Sequence, residues 1–587
     1  MITTGVAAAG GDLLSRVSAV AEQDPERPAV DYLDDRGGLV EGQTRSYAEL
    51  FRDFSAVAGD LASRHSRGDR VLILTAPGLP FLQSFLGCLG AGMVAVPAPL
   101  PGDEKGMDRL GRIVSDAEAV EILTTEDLRE FVSDWVASSG LATPPVVTAV
   151  DRIDPDGPPA GPYTPDADAL AFLQYTSGST SEPKGVMVTL GNLSHNLEVI
   201  HRACRMEEGS TIIGWLPHFH DMGLIGQVLY PLSQGYRGVH MSPTTFLKRP
   251  HVWIRALSDF GATGTVAPNF AFDMCVRRIS DTQLEGVDLS RLRTLLNGSE
   301  PIRVETLRAF AARFHPFGLD PAAISPCYGL AESTLMVSSD DPEPFHELEV
   351  DAAELTAHRI SPPSDRPARI LVSSGRPGDL DVAVVDPVLG LRLGEAEVGE
   401  IQIRGASVAA GYWANPEVTA EVFDQTVEGV SGFMRTGDLG ALVDGRLYVT
   451  GRLGDMIILN GRNIYPHDLE QTSREAHPAL TGGLAAVFAV GENDDRVVVV
   501  QEVVDDAVPA DDLRGAIRDQ VRGTHEVTLS DVTLVPRKTV ARTTSGKIRR
   551  AEMRERYLSG EFGTEELGTG EFNAGDFNTV EAPAASR

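Results

Sequence analysis

Short apolar runs alternate with longer helix-like segments over much of this chain, and that alternation limits the folds available to it. Residues 71–74 have the pattern of a strand, residues 81–92 of a helix, and residues 93–96 of a second strand closed by Pro97. Further strand-like runs lie at 121–124, 169–174, 211–215 and 292–296. This order favours α/β layers with largely parallel strands.

The pattern changes near residue 372. Residues 381–385, 399–404 and 446–450 have the pattern of short strands joined by Gly and Pro turns, which predicts a β-rich subdomain. After the GRLGD run at 451–455 the pattern restarts. A strand is expected at 456–459, a helix from Pro466, strands at 485–490 and 497–503, and a helix at 513–521.

We therefore predict an α/β protein with two domains. A large N-terminal domain, residues 1–453, combines layered α/β subdomains with the β-rich subdomain, and residues 454–558 form a small, mobile α+β domain. A length of 587 residues also exceeds what one hydrophobic core usually organises. The Gly-, Glu-, Asn- and Thr-rich residues 559–587 are predicted to be a disordered acidic tail.

Composition excludes several classes of protein. The content of 42% apolar and 23% charged residues is that of a soluble globular protein, and no run of about 18 apolar residues predicts a membrane span. The first residues lack a basic, apolar leader, so a cytoplasmic location is expected. The net charge of −33 argues against general affinity for nucleic acid or anionic membranes. The four cysteines are far apart, which indicates neither a disulfide framework nor a zinc site.

The strongest local signal is the run YTSGSTSEPKG at 175–185, which follows a predicted strand. Hydroxyls and exposed N–H groups of such a turn can surround phosphate oxygens, and a lysine adds a positive charge. A Ser/Thr-rich surface turn is the alternative. The expected phosphate-binding residues are Thr176, Ser177, Gly178, Ser179, Thr180 and Lys184.

This run resembles the signature of the adenylate-forming superfamily, which includes acyl-CoA synthetases, firefly luciferase and nonribosomal peptide adenylation domains. Other motifs follow in the family's order: WLPHFHDMGL at 215–224, NGSEP at 297–301, CYGLAES at 327–333, RTGD at 435–438, GR at 451–452 and TSGK at 544–547. The resemblance covers roughly residues 45–550. It implies ATP and Mg²⁺ as cosubstrate and cofactor.

The resemblance also implies roles for single residues. Tyr328 would stack on adenine, Glu332 would hold Mg²⁺, and Asp438 with Arg452 would bind the ribose. Taken alone, Glu332 would be a helix-start carboxylate and Asp438 a turn former. The remaining nucleotide contacts implied are Gly298, Ser299, Glu300, Cys327, Gly329, Leu330 and Ser333.

Two catalytic residues are implied besides Glu332. His220 would act at the mouth of the acyl pocket, although a histidine beside aromatic residues is often simply packed in the core. Lys547 would reach the carboxylate and the α-phosphate; a solvated basic face is the alternative. The apolar walls of the pocket are expected from Trp215, Asn269, Phe270, Phe272 and Met274, residues that a buried core helix would also contain.

Within the superfamily, several details resemble the fatty acyl-AMP ligase branch: FHDMGL at 219–224, APNFAF at 267–272, GLAESTL at 329–335 and GRNIYP at 461–466. Residues 338–370, acidic and weakly periodic, match the position of that branch's insertion, with a long surface loop as the alternative. The branch passes its acyl group to the phosphopantetheine thiol of a carrier protein. We expect an acidic carrier to dock at a basic cluster, Arg537, Lys538, Arg549, Arg550 and Arg554.

The sequence also departs from the superfamily pattern. Ser181 and Glu182 stand where glycine and a variable residue are common, and TLGN at 189–192 replaces a common Ser-His stretch. Gly454 stands where a charged hinge residue is common, which makes rotation of the small domain easier but less defined. A fatty acyl-CoA synthetase and a catalytically silent nucleotide-binding protein of the same fold remain as rival hypotheses.

Overall fold

A computed structural model describes residues 12–562, apart from 162–165, 177–182, 205, 341–343, 366, 460–461, 492–495 and 544–545. The chain divides into two compact units, Met1–Met456 and Ile457–Arg587, called the large unit and the small unit below. The described tail residues end at 562, so most of the predicted acidic tail lies outside the described residues. Among the described helices, none combines the length and apolar character needed to span a membrane.

The strands of the large unit are β1 (Pro28–Leu33), β2 (Leu39–Ser46), β3 (Arg70–Ile73), β4 (Val94–Pro97), β5 (Glu121–Thr124), β6 (Val146–Ala149), β7 (Leu170–Thr176), β8 (Lys184–Thr189), β9 (Thr211–Gly214), β10 (Arg237–Met241), β11 (Gly264–Ala267), β12 (Thr294–Asn297), β13 (Ile324–Gly329), β14 (Met336–Ser339), β15 (Glu347–Asp351), β16 (Ala368–Val372), β17 (Arg376–Pro377), β18 (Asp381–Val385), β19 (Gly399–Arg404), β20 (Gln425–Val427), β21 (Val430–Val443) and β22 (Arg446–Arg452).

Its helices are α1 (Leu13–Gln23), α2 (Tyr47–Arg64), α3 (Leu79–Ala91), α4 (Glu104–Ala117), α5 (Glu126–Ser138), α6 (Leu190–Cys204), α7 (Tyr230–Ser233), α8 (Pro243–Lys248), α9 (Pro250–Asp259), α10 (Asn269–Arg278), α11 (Val304–Phe314), α12 (Ala352–Thr356) and α13 (Pro416–Val422). Local signals start several of them. Ser46 and Glu49 form a reciprocal capping box at the start of α2, and Pro416 occupies the first turn of α13. A π-helix, Met222–Leu229, leads into α7.

Two mainly parallel sheets carry the large unit. The first, with nine strands in the described part of the chain, has the order β17-β14-β13-β12-β11-β9-β10-β1-β2, and its central strands β13 to β1 are parallel. The second has the order β6-β5-β3-β4-β7-β8, with only β8 antiparallel to its neighbour. Apolar strands buried on both faces suit this arrangement. The predicted α/β layering is confirmed.

The β-rich subdomain is an antiparallel sheet, β18-β19-β21-β20, with β22 paired to β21. Its strands β18 and β19 have the predicted bounds, and β22 runs two residues further than expected. This sheet places Asp438 of β21 directly opposite Arg452 of β22. Two residues expected to bind the same sugar therefore lie on neighbouring strands.

The predicted insertion at 338–370 has more regular structure than its weak periodicity suggests. Strands β15 and β16 form an antiparallel pair, with α12 beginning directly after β15. Asp351 accepts hydrogen bonds from the backbone N–H groups of Ala353 and Glu354, and so caps α12. Arg308 of α11 forms an ion pair with Glu347 of β15. Strands β15 and β16 are thus an antiparallel pair linked by an ion pair to α11.

The small unit is α+β. It contains the strand pair β23 (Ile457–Leu459) and β24 (Arg462–Ile464) and a sheet of β25 (Ala485–Val490), β26 (Arg496–Glu502) and β27 (Leu529–Val535), in that order. Its helices are α14 (Pro466–Glu475), α15 (Ala510–His525) and α16 (Arg550–Leu558). The strands after residue 456 and the helix from Pro466 match the sequence prediction closely.

Candidate active site

The phosphate-loop motif joins two antiparallel strands. Thr176 ends β7 and Lys184 begins β8, and the two residues pair across the ladder. Ser177, Gly178, Ser179 and Thr180 lie outside the described residues. The Tyr175 side chain is fixed by two contacts: its hydroxyl donates to Asp116, and its ring lies against Gly185. The described residues on both sides of the expected loop are therefore paired, anchored strands.

Three predicted nucleotide-binding residues meet on the β-rich side. The Tyr328 hydroxyl donates to Oδ2 of Asp438 over 2.7 Å, and Nε of Arg452 lies 3.6 Å from Oδ1 of the same carboxylate. Burial raises the pKa of Tyr328, so its hydroxyl stays a donor, while Asp438 raises the pKa of Arg452. A carboxylate with two oriented donors in reach is suited to hydrogen-bonding sugar hydroxyls.

Glu332 lies on the next turn after Tyr328 and has a partner that the sequence analysis missed. The Tyr412 hydroxyl donates to its Oε1 over 2.9 Å. Among the described residues, Oε2 has no hydrogen-bond partner. Nζ of Lys184 lies 5.4 Å from the centroid of the Tyr412 ring, which brings the end of the phosphate loop close to this carboxylate.

This donor set fits Mg²⁺, which prefers hard oxygen ligands and takes most of them from water and nucleotide phosphates. Glu332 offers one carboxylate oxygen that already accepts from Tyr412 and a second that is free within the described chain. No group of three His, Cys, Asp or Glu side chains suited to a metal occurs in the described ranges. A cation here would therefore take Glu332 as its protein ligand.

Two glycines of the nucleotide motifs allow close backbone approach. A Cβ on Gly329 would lie 1.9 Å from the Leu335 carbonyl oxygen, and one on Gly298 would lie 2.8 Å from Sγ of Cys327. Neither position has room for a side chain. Ser299, beside Gly298, has a φ of 72°, a strained backbone for a non-glycine residue. Strain of this kind is often found at binding sites.

Other residues of these motifs serve the surrounding structure. Glu300 accepts a hydrogen bond from the Phe270 N–H, so it caps the start of α10 and links the nucleotide motif to the acyl helix. The Leu330 N–H donates to the Leu335 carbonyl. Ser333 is completely buried. Its hydroxyl has no hydrogen-bond partner among the described residues, while its backbone N–H donates to Leu330 and its carbonyl accepts from Leu335.

Four of the five predicted acyl-pocket residues lie on α10, and Trp215 directly follows β9. Phe270 points to an aromatic cluster in which Trp215 stacks on Phe246 with ring centroids 3.9 Å apart. Met274, one turn on from Phe270, is partly buried against the same core. Phe272, two positions from Phe270, lies on the opposite side of the helix and packs on Trp253 and Phe310.

Asn269 is buried at the N-terminus of α10. Its side-chain amide donates to Thr306, and its carbonyl accepts from the Arg303 N–H. Asn269, Phe272 and Trp215 are therefore packed inside the unit, whereas Phe270 and Met274 are only partly buried. The short sequence pattern could not separate these two groups.

His220 lies where the histidine motif enters the π-helix. Its Nδ1 accepts from the Met222 N–H over 3.3 Å and lies 2.6 Å from Oδ1 of Asp221. Gly223 follows in a position where a Cβ would lie 2.2 Å from the Pro217 carbonyl oxygen. The motif is thus a tightly folded corner, and His220 remains partly exposed at its surface.

Behind this corner lies a buried polar cluster that the sequence did not indicate. His218 and His240 have ring centroids 5.5 Å apart, and both rings pack on Tyr32. The Tyr32 hydroxyl and Nδ1 of both histidines have no hydrogen-bond partner among the described residues. Burial lowers the pKa of His218 to about 4 and lowers the pKa of His240 well below its ordinary value, so both rings are neutral near pH 7.

Lys547 belongs to the small unit. It lies exposed on a turn in which Arg542 bridges Ile548, and its N–H donates to the Thr543 hydroxyl. Thr544 and Ser545 of the same motif lie outside the described residues. The exposed position is compatible both with a catalytic role and with the alternative of a solvated basic face.

The basic cluster of the small unit needs one correction. Arg550 was expected to contribute to carrier docking, but its guanidinium forms a two-bond ion pair with Glu470, whose side chain is buried. Arg554 likewise donates to the Ala489 carbonyl. Both side chains are used inside the unit because they are needed to balance buried polar groups. Arg537, Lys538 and Arg549 remain exposed.

Comparison with known proteins agrees with this geometry. The family model described as AMP-binding enzyme matches residues 17–413, and one described as Disco-interacting protein 2-like, AMP domain, matches residues 454–567. The chain is 38% identical over 534 residues to the medium-chain-fatty-acid–[acyl-carrier-protein] ligase JamA of Moorena producens, covering 87% of this chain and 88% of that protein. It is 36% identical to the long-chain-fatty-acid–AMP ligase FadD26 of Mycobacterium tuberculosis, covering 88% and 92%.

Among solved structures, the fatty acyl-adenylate ligase from L. pneumophila in complex with acyl adenylate and pyrophosphate superposes with a TM-score of 0.72. The two chains are 36% identical, with 93% of this chain and 96% of that chain covered. Fold, motif order and these relatives agree. The chain belongs to the AMP-binding enzyme family, in its fatty acyl-AMP ligase branch.

Proposed function

We propose that this protein activates a fatty acid with ATP, giving an acyl-adenylate and pyrophosphate, and then transfers the acyl group to the phosphopantetheine thiol of an acyl carrier protein. The observation that carries the proposal is the convergence of Tyr328, Asp438, Arg452 and Glu332 in the large unit. Tyr328 can stack on the adenine, Asp438 and Arg452 can hydrogen-bond the ribose, and Glu332 can hold a cation beside the phosphates. Its location in the cytoplasm, where ATP is available, is part of the proposal.

In the first step a carboxylate oxygen of the fatty acid attacks the α-phosphorus of ATP. A new O–P bond forms, the bond to the β-phosphate oxygen breaks, and pyrophosphate leaves. Asp438 and Arg452 hold the ribose, and the Tyr328 ring lies along the adenine. Mg²⁺ bound through Glu332 would neutralise phosphate charge. Lys547, from the small unit, donates to the carboxylate and α-phosphate, while Thr176 and Lys184 bracket the phosphate loop.

The alkyl chain binds on the aromatic side of the site. Trp215, Phe270 and Met274 offer apolar surface, and His220 stands at the corner where the carboxylate would enter. Glu300 connects the two halves, because the motif that is expected to contact the nucleotide also caps α10. The nucleotide and the acyl chain would then both bind beside the start of α10, which Glu300 holds.

In the second step the thiol sulfur attacks the acyl carbon. The C–S bond forms, the thiol proton is released to solvent, the C–O bond to AMP breaks, and AMP leaves with the electron pair. The hairpin β15–β16 occupies the place where this branch has its insertion, which supports a carrier protein as acceptor in preference to free CoA. The exposed Arg537, Lys538 and Arg549 supply a basic docking surface for an acidic carrier.

Fatty-acid-dependent exchange between ATP and labelled pyrophosphate tests the first step. The wild-type protein should catalyse exchange, and Lys547→Ala should lose about 10² to 10³ in rate. Arg518→Ala, which removes an exposed charge from α15 of the same unit, is the matched control and should keep the wild-type rate. Absence of exchange with any fatty acid in the wild type would instead support a catalytically silent protein.

Intact-mass measurement with mixed fatty acids tests the acceptor. We expect acylated holo carrier protein as product, with Arg537→Ala and Lys538→Ala slowing transfer but leaving pyrophosphate exchange unchanged. Rapid formation of acyl-CoA, with no acylated carrier, would replace the carrier assignment by that of an acyl-CoA synthetase.

A further inference from the structure

We propose that Tyr412 is a positioning residue that orients the metal-binding carboxylate of Glu332 and links it to the strand carrying Lys184. The inference rests on the proposed role of Glu332 and extends it to a residue 80 positions away, at the end of a hydrogen bond of 2.9 Å. Two features support this role: the Tyr412 hydroxyl is held in a fixed position, and it contacts only Oε1 of the Glu332 carboxylate.

The backbone around Tyr412 is fixed on two sides. The Ala409 N–H donates to the Glu332 carbonyl, so the segment begins on the same turn as the carboxylate. The next residues run antiparallel to β8, with Met187 and Gly185 exchanging backbone hydrogen bonds with residues 410, 411 and 413 at 2.8 to 2.9 Å. Residues 409–413 therefore form a backbone link between the Glu332 turn and β8, with one isolated bridge between Val186 and Tyr412.

Trp413 extends this connection to the other flank of the loop. Its indole N–H donates to the Asp116 carbonyl over 3.0 Å, and the Asp116 carboxylate accepts from Tyr175 of β7. One short segment thus pairs with β8 and is connected to β7 through Asp116 of α4.

The Tyr412 side chain itself is firmly packed. Its ring meets Phe423 edge to face with centroids 5.3 Å apart, and its N–H donates to the Thr419 hydroxyl. Gly411, directly before it, has a φ of 124°, and a Cβ there would lie 2.5 Å from Cγ2 of Thr419. Glycine is required for the chain to turn Tyr412 toward Glu332.

A glutamate side chain has several rotamers, and ordering it is unfavourable in entropy. The Tyr412 hydroxyl holds Oε1. Oε2 has no hydrogen-bond partner among the described residues and is the oxygen that would bind the metal. This is what partners of metal-binding carboxylates do: they fix orientation without touching the ion, and losing them typically costs about 10- to 100-fold in metal affinity or activity.

Titration calorimetry of ATP, with Mg²⁺ and with a chelator, tests the inference without any turnover. In the wild type, Mg²⁺ should strengthen ATP binding. Tyr412→Phe keeps the ring against Phe423 and Lys184 but removes the donor, and we expect it to lose about 10- to 100-fold of the Mg²⁺-dependent gain while ATP binding in chelator stays unchanged. In a Glu332→Gln background the same substitution should have little further effect, because the two residues act together.

Tyr236→Phe is the matched control. Its hydroxyl donates to the Met206 carbonyl over the same 2.9 Å, far along the nine-stranded sheet, so it should lower stability without changing the Mg²⁺-dependent gain. Glu332→Asp, which withdraws the carboxylate from the hydroxyl and leaves Tyr412 packed, is a second variant and should resemble Tyr412→Phe.

A wild-type Mg²⁺-dependent gain in folded Tyr412→Phe would overturn the inference and leave the proposed function intact. A wild type that binds ATP but gains nothing from Mg²⁺ would overturn the metal role of Glu332 together with that of Tyr412. Normal Mg²⁺ and ATP binding without fatty-acid-dependent pyrophosphate exchange would contradict the proposed function alone.

Discussion

The tyrosine hydroxyls on the nucleotide side and on the acyl side of the large unit differ in how they are paired. On the nucleotide side the hydroxyls of Tyr328 and Tyr412 each donate to a carboxylate. On the acyl side the indole N–H of Trp215, the Tyr32 hydroxyl and Nδ1 of His218 and His240 are buried without a partner among the described residues.

The difference shows what holds each region together. Oriented charges and hydrogen bonds are prepared before a ligand binds, and that arrangement favours binding of one defined polar group. The acyl side is held mainly by ring packing and contains buried polar atoms without partners among the described residues, which destabilise the fold. Substitutions on the two sides should therefore change different quantities.

The largest expected effect is on stability at the acyl side. Trp215 is 3% exposed and in contact with Phe246, Trp253 and Phe270. Trp215→Ala should lower the free energy of unfolding by about 3–5 kcal/mol, measured by denaturant titration, with ATP affinity preserved. Trp215→Phe keeps a ring and should cost much less. If Trp215→Ala lost as much ATP affinity as a nucleotide-side variant, the two sides of the site would not act separately.

The next effect is a pH dependence of stability. His218 has a folded pKa of about 4 against an ordinary value of 6.5, so the unfolded chain binds more protons between these values. Stability should be fully present above about pH 6.5 and fall as the pH drops toward 4, by up to roughly 3 kcal/mol from His218 at about 1.4 kcal/mol per unit. His240 acts in the same direction.

Denaturant titrations across this pH window measure the effect. The variant with both His218→Phe and His240→Phe should lose much of the dependence, since the rings can still pack on Tyr32 but no longer titrate. If the free energy of unfolding of that variant still fell with pH as in the wild type, other groups would cause the loss of stability.

A smaller effect is expected for Asp438→Asn on the nucleotide side. The amide still accepts from Tyr328 but no longer carries the charge that faces Arg452, and hydrogen bonds to charged groups are typically worth about 1.5–3 kcal/mol. The KM for ATP should rise about 10- to 100-fold with the KM for fatty acid unchanged. Asp444→Asn, exposed in the turn of the same β21–β22 hairpin, is the control and should behave as wild type.

The smallest effect is expected for Tyr328→Phe, which keeps the ring for the adenine and removes one hydroxyl. Loss of a single hydrogen bond is worth about 1 kcal/mol, so ATP binding measured by calorimetry should weaken about fivefold. A larger effect on fatty acid binding than on ATP binding would place Tyr328 on the wrong side of the site.

Much of the fold followed from local patterns. The strand bounds of β5, β18, β19 and β25 were predicted to the residue, because buried strands between Gly and Pro turns have a short, clear signature. The roles of Glu332, Asp438, Arg452 and Lys547 stay predictions.

What failed depended on contacts between residues far apart in sequence. Nothing near Tyr412 indicates that its hydroxyl meets Glu332, 80 residues earlier. Arg550 was assigned to a surface because its pairing with Glu470 is equally distant in the chain. The two faces of α10, which separate Phe270 from Phe272, became clear only when the neighbouring aromatic residues were in place.

A crystal structure with bound acyl-adenylate tests the central claim most directly. The account predicts the ribose hydroxyls within hydrogen-bond distance of Asp438, the adenine against Tyr328, and the alkyl chain directed to Trp215 and Phe270. An acyl-adenylate bound elsewhere in the large unit, with Asp438 still occupied only by Tyr328 and Arg452, would contradict it.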